Sequence, residues 1–231
     1  MKSLKIAALA LGLAFAGTAN AATNLILNGS FEAGAIGVGP AGFVGWTYTA
    51  IIPGNALPQI IGLGAANPYP TGAFGEGIPV DLGPSDSPDA VGVKAAYFVG
   101  DAALETLEQS TFLNGGRYKM GFSAYIPFNG FNNRFNASFI GNVGGVNLAT
   151  FNVDGSIPGQ WVHYSDEVVL AAGNYTTKFT FESGAFPAGD VVIDRAYLIA
   201  VPEPTTWALM IGGFGGAGAM LRRNRRRAVA A

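Results

Sequence analysis

The chain has 231 residues, 34 of them glycine and 13 proline, no cysteine, and a net charge of −2 at neutral pH. Its charge is unevenly spread: residues 22–200 hold six lysines and arginines against fourteen carboxylates, a net of −8, while the two ends carry the remaining positive charge. An acidic body argues against nucleic acid as a partner, since phosphate binding needs clustered lysine and arginine. The absence of cysteine excludes disulfides and thiol catalysis, and one histidine excludes a histidine-rich zinc site.

The N-terminus begins with Lys2 and Lys5, continues through an apolar run from Ile6 to Ala16, and reaches the small-residue site Ala19-Asn20-Ala21. That order predicts a secretory signal peptide over 1–21, cut after Ala21. Export by the Sec translocon and removal by signal peptidase follow from it.

Residues 22–200 read as one domain, of a size that can bury a core without disulfides. Period-two alternation is clearest at Met120, Phe122, Ala124 and Ile126 against Lys119, Gly121, Ser123 and Tyr125. It recurs at Phe135, Ala137 and Phe139, and at Tyr175, Thr177, Phe179 and Phe181. Each set has one apolar and one polar face, the pattern of an antiparallel strand with one wet side. Further strands are expected near 24–27, 43–49, 91–99, 105–112, 146–152, 160–170 and 190–200. Asp101 to Gln109 could form a helix, but strand neighbours favour a strand preceded by a loop. Turn signals such as Asn129-Gly130, Gly144-Gly145 and Asp154-Gly155 separate the runs. The fold class is therefore all-β, an antiparallel β-sandwich of jelly-roll type. Residues 51–90 break the pattern with repeated proline and glycine and read as a long irregular insertion.

The chemistry-bearing residues give several candidates. Exposed aromatic rings beside Asn, Gln, Asp or Arg suit a sugar. One group is Trp46, Tyr48, Tyr69 and Phe74; the other is Phe128, Asn129, Phe131, Asn132 and Asn133. Trp46 and Trp161 also fit a core. His163, within Trp161-Val162-His163-Tyr164, reads as a strand side chain. Gly37-Val38-Gly39-Pro40-Ala41-Gly42 matches a nucleotide-binding glycine pattern only by letter, because proline interrupts it and no strand–helix unit frames it. Asp81, Asp86 and Asp89 form an acidic loop, read as solvated charge or a cation site.

Asn24-Leu25-Ile26-Leu27-Asn28-Gly29-Ser30-Phe31-Glu32, followed by Gly45-Trp46, resembles the opening of galactose-binding-like jelly-roll domains. Gly159-Gln160-Trp161 and Asp190-Val191-Val192-Ile193-Asp194 fit the end of such a domain. The resemblance covers both ends of 24–200 and is thin between them. It implies a structural calcium joining the two ends, with Glu32 and Asp194 as side-chain ligands and backbone carbonyls completing the shell. The residues themselves also allow a local cap or ion pair at Glu32 and a solvated Asp194.

The C-terminus is a three-part label. Pro202, Glu203 and Pro204 enforce extended backbone; residues 207–221, opened by Trp207, carry no charge; Arg222, Arg223, Arg225, Arg226 and Arg227 close it. As a helix, 207–221 would span about 22 Å, short of a hydrocarbon core of about 30 Å. The arginines would hold the tail in the cytoplasm and place the body outside. Residues 201–227 resemble the PEP-CTERM sorting signal of Gram-negative bacteria. The resemblance implies an exosortase as partner, an inner-membrane-anchored precursor with a short transmembrane helix, and a final place in the periplasm, outer envelope or extracellular matrix. Such systems accompany exopolysaccharide in biofilms. Three classes of function stay open: a non-enzymatic matrix or surface protein associated with exopolysaccharide, a carbohydrate-binding module with a defined glycan ligand, and a secreted glycan hydrolase.

Overall fold

The computed structural model describes residues 22–51, 57–99, 103–129, 137–153, 155–183, 189–202, 210–218, 220 and 222. Residues 22–200 form one compact unit, and its strands make two antiparallel five-stranded sheets packed as a sandwich. The first sheet has the order β1-β4-β9-β6-β7 and the second β2-β3-β10-β5-β8. The strands are β1 (Thr47–Ile51), β2 (Gln59–Gly62), β3 (Lys94–Phe98), β4 (Leu104–Leu113) and β5 (Gly116–Tyr125). They continue with β6 (Ala137–Val143), β7 (Val146–Asn152), β8 (Trp161–Leu170), β9 (Gly173–Ser183) and β10 (Val191–Ala200).

Alternation along these strands sends every second side chain between the sheets. Met120, Phe122 and Ala124 of β5 meet Phe179 and Phe181 of β9 and Phe139 of β6 in the main core. Phe139 anchors it, with ring centroids 5.5 Å from Phe98, 5.6 Å from Phe151 and 6.0 Å from Phe179. Such ring pairs add about 0.5–1.5 kcal/mol each beyond area burial. Gly141 is demanded by this packing: a Cβ there would lie 2.3 Å from a ring carbon of Phe122.

Three expectations change. Residues 24–27 are not a strand; Asn24 and Leu25 instead stitch the N-terminal segment to β10, with Leu25 N–H donating to the Leu198 carbonyl at 2.8 Å. The Asn24 amide adds a bond to the Ala196 carbonyl and accepts the Leu198 N–H. The proline- and glycine-rich insertion contains β2, which alternation could not reveal because its first three residues are all buried. The polar face of β5 is not wet: Ser123 is 1 % and Tyr125 4 % exposed, because the β2–β3 connection lies across the outer side of the second sheet. Within the stretch from Asp101 to Gln109, residues 104–109 are strand, the start of β4, as strand neighbours predicted, and Asp101 and Ala102 lie outside the described residues.

The connection has its own apolar seam, in which Leu63, Ala73 and Ile78 pack on Ile61, Ala95, Tyr97, Tyr125 and Val192. A β-bulge in β10 helps hold it down. Asp194 pairs with Ser123 and Tyr197 with Gly121, so one extra residue sits in β10, and Arg195 takes a left-handed φ of 53°. The bulge lets Ile193 and Ala196 both enter the main core. It frees the Arg195 guanidinium to donate to the carbonyls of Gly83 at 2.8 Å and Asp81 at 3.3 Å. Lys119 pairs with Asp86 at 2.6 Å, and Asn24 donates to Asp89 at 2.8 Å.

Residues 210–218, 220 and 222 are helical and exposed. Among the described residues no helix is long and apolar enough to cross a membrane.

Candidate functional site: an aromatic ledge on the second sheet

Strand register lines up Gln59, Tyr97, Val192, Tyr125 and Trp161 across the outer face of the second sheet, one from each strand in the order β2-β3-β10-β5-β8. With strands about 4.8 Å apart, Tyr97 and Trp161 stand about 14 Å apart. The Tyr125 and Trp161 ring centroids are 5.4 Å apart, and the Trp161 indole N–H donates to the Pro79 carbonyl at 2.7 Å.

The connection adds a second tier. Ala73 to Glu76 form a tight turn closed by the Glu76 N–H on the Ala73 carbonyl, with φ of 47° at Phe74 and 84° at Gly75. Left-handed backbone at both central residues belongs to the mirror-image class of β-turn. It is unusual at a bulky side chain, and such conformations concentrate at functional positions. Phe74 is 43 % exposed, stacks on Tyr69 at 5.1 Å and meets the Tyr97 ring edge-on at 6.4 Å.

Glu76 joins this turn to the segment after β5. One carboxylate oxygen accepts the Tyr125 hydroxyl at 3.0 Å and the other the Asn129 N–H at 2.7 Å. Asn129 follows Phe128, a residue 61 % exposed whose ring lies where a Gly159 side chain would stand. Burial, together with Glu76, pushes the Tyr125 hydroxyl up to about 12. Burial, the Asp190 carboxylate bonded to its hydroxyl and Glu76 hold Tyr97 far above the usual tyrosine range.

Residues that the sequence sorted into rival groups therefore share one ledge: Tyr69 and Phe74 from one, Phe128 and Asn129 from the other. Trp46 leaves the first group for the core, 5.5 Å from Phe31, and Tyr48 donates to Glu105. Phe131, Asn132 and Asn133 lie outside the described residues. Sequence reading missed Glu76, Tyr97 and Tyr125 as site residues; the one available signal was Glu76 itself, a lone carboxylate amid glycine, proline and aromatic residues.

Beside the ledge, Ser123 Oγ and His163 Nδ1 are 3.2 Å apart, and His163 Nε2 and the Tyr197 hydroxyl 3.3 Å. Burial lowers the His163 pKa. Ser123 is 1 % exposed, and this chain of contacts ties β5, β8 and β10 together.

Glu32 and Asp194, the residues implied for calcium, both sit where the N-terminal segment meets the second sheet, and the Glu32 charge acts on Asp194. Glu32 Oε1 accepts the N–H of Val93 at 2.8 Å and of Lys94 at 2.7 Å. The Lys94 ammonium donates to the carbonyls of Glu32 at 2.7 Å and Gly34 at 2.9 Å. Asp194 accepts the Arg195 N–H at 2.6 Å; burial, with the charges of Asp81 and Glu32, raises its carboxyl well above the usual range. Among the described residues no group of three or more metal-ligating side chains converges. Asp81, expected in a solvated loop, is 2 % exposed and lies 3.5 Å from the Arg195 guanidinium.

At the other end of the chain, residues 200–227 match the PEP-CTERM protein-sorting motif. Such a motif implies export, a membrane-anchored precursor in a Gram-negative bacterium and processing by an exosortase. Pro202 is exposed just beyond β10 and Arg222 is exposed and helical, whereas Glu203, Pro204, Trp207, Arg223, Arg225, Arg226, Arg227 and the signal peptide at 1–21 lie outside the described residues. No curated protein matches the chain. Among solved structures, TmCBM61 in complex with β-1,4-galactotriose is similar at 17 % identity and a TM-score of 0.44, covering 78 % of this chain and 99 % of its own. A family 16 carbohydrate-binding module is similar at 15 % identity and a TM-score of 0.40, covering 76 % of this chain and 99 % of its own. The enzymatically active domain of bacteriophage CBA120 tailspike protein 4 is similar at 15 % identity and a TM-score of 0.42; the match covers 77 % of this chain and 21 % of that one.

Proposed function

We propose that the protein is a non-enzymatic envelope or extracellular-matrix component that is released or retained by exosortase processing and holds exopolysaccharide through the aromatic ledge. The observation that carries the reading is the presentation of two exposed phenylalanine rings, Phe74 and Phe128, on backbone fixed by a single carboxylate, Glu76. Rings held in place lose little freedom when a sugar ring stacks on them, so their apolar area contributes to affinity with a small entropic cost. Hydrogen-bonding groups stand beside them in the Asn129 amide and the Glu76 oxygens, the mixture a sugar needs. The sorting motif supports an extracytoplasmic setting for such contacts.

Affinity electrophoresis of the full-length chain through gels containing a panel of polysaccharides tests the reading. At least one glycan retards the wild type, and Phe128→Ala reduces that retardation about tenfold while the melting temperature stays within a degree or so, as expected for an exposed ring. A panel that retards nothing, or retardation indifferent to Phe128→Ala, removes the ledge as the site.

A further inference from the structure

We propose that the ledge selects glycans bearing free amines, that is de-N-acetylated amino sugars, and turns away uronic acids; this deepens the glycan-binding reading above and rests on it.

The charge available to a ligand decides the selection. Each Glu76 oxygen accepts one neutral donor, from Tyr125 or Asn129, and a carboxylate oxygen has room for a second. The described cations of the body have partners elsewhere. Lys119 is on Asp86, Arg195 on Asp81 and Gly83, and Lys94 on the carbonyls of Glu32 and Gly34. Arg117 pairs with Glu167 and Lys178 with Glu108; Arg134 lies outside the described residues. Phe74 and Phe128 offer ring faces whose quadrupole attracts a cation within about 6 Å. An ammonium on a sugar thus gains a charge-assisted bond to Glu76 and a cation–π contact at the same place. A uronic carboxylate brought there meets like charge in a half-buried setting, which costs affinity.

Titration calorimetry on the full-length chain compares three probes of equal length: a chito-oligosaccharide with free amines, its fully N-acetylated counterpart, and an oligogalacturonate. The amine form binds about tenfold more tightly than the acetylated form, as expected of a charge-assisted bond, and the galacturonate gives no measurable heat of binding. Glu76→Gln, checked for an unchanged melting temperature, brings the amine-to-acetyl ratio toward one. A salt series on the wild type gives the same answer without mutation, the ratio shrinking as sodium chloride rises. Equal affinity for the amine and acetylated forms, a salt-insensitive ratio, or binding of the galacturonate overturns the proposal. Should the acetylated form bind through Phe128 with the amine no tighter, the glycan reading stands and only this selectivity falls. Should none of the three bind and the polysaccharide panel also fail, both fall together.

Discussion

Lys94 sets its ammonium against the carbonyls of Glu32 and Gly34 while its backbone N–H and that of Val93 satisfy the Glu32 carboxylate. A cation supplied by the chain thus closes the corner where the N-terminal segment turns under β3. Hydrogen bonds from a charged donor contribute about 1.5–3 kcal/mol. Lys94→Met, which keeps most of the apolar stem, therefore lowers unfolding free energy by about 2 kcal/mol in urea denaturation. In the same measurement EDTA leaves the wild-type transition in place. A calcium-dependent midpoint would instead mean that an ion shares the corner with Lys94.

At the scale of elements, the β2–β3 connection and the second sheet behave as one unit because phenol–carboxylate bonds join them or lie beneath the connection. Tyr125 gives its hydroxyl to Glu76 and Tyr97 to Asp190. Burial, with these carboxylates, raises both hydroxyls, Tyr125 to about 12, and burial raises Tyr197 to about 12 as well. A hydroxyl whose folded pKa exceeds its unfolded value of about 10 binds its proton more tightly when folded. Its contribution is complete below about pH 10 and is lost as pH rises through the folded value. Urea midpoints measured from pH 9 to 12 accordingly decline above pH 10, and Tyr125→Phe makes that decline shallower. A flat profile would show that the hydroxyls are not held as described. Alternation located β5 and gave its two faces, yet it marked the Ser123 and Tyr125 face as wet. Nothing local to β5 encodes a connection laid over it from residues roughly fifty positions earlier.

For the whole molecule, the two ends of the body lie together: the Gly29 carbonyl accepts the Ala196 N–H at 2.9 Å, and Leu25 donates to Leu198. β10 ends at Ala200, three residues before Glu203, so cleavage at or beyond Glu203 leaves every described strand of the sandwich in place. Intact mass of the native protein from the envelope and medium of its host is expected to show loss of residues 1–21 and of the segment beyond the motif. Any added mass identifies a group attached in processing. A complete C-terminus in the membrane fraction would make this a plain anchored protein.

The sequence by itself determined the targeting label, the all-β class and most strands, because each rests on interactions within a few residues: proline geometry, charge flanking an apolar run, alternation at period two. β7 was legible since one of its faces meets the core and the other solvent. β2 was not, because four residues buried at their first three positions, set amid proline and glycine, are too short a run to show a strand. The tertiary structure alone decided that Phe74 and Phe128 share a ledge, that Glu76 binds them into it, and that Lys94 and Arg195 are turned inward on carbonyls. Those arrangements join residues from about fifty to more than a hundred positions apart, and hydrogen bonds between such residues exist only once register, bulge and connection have brought them into reach.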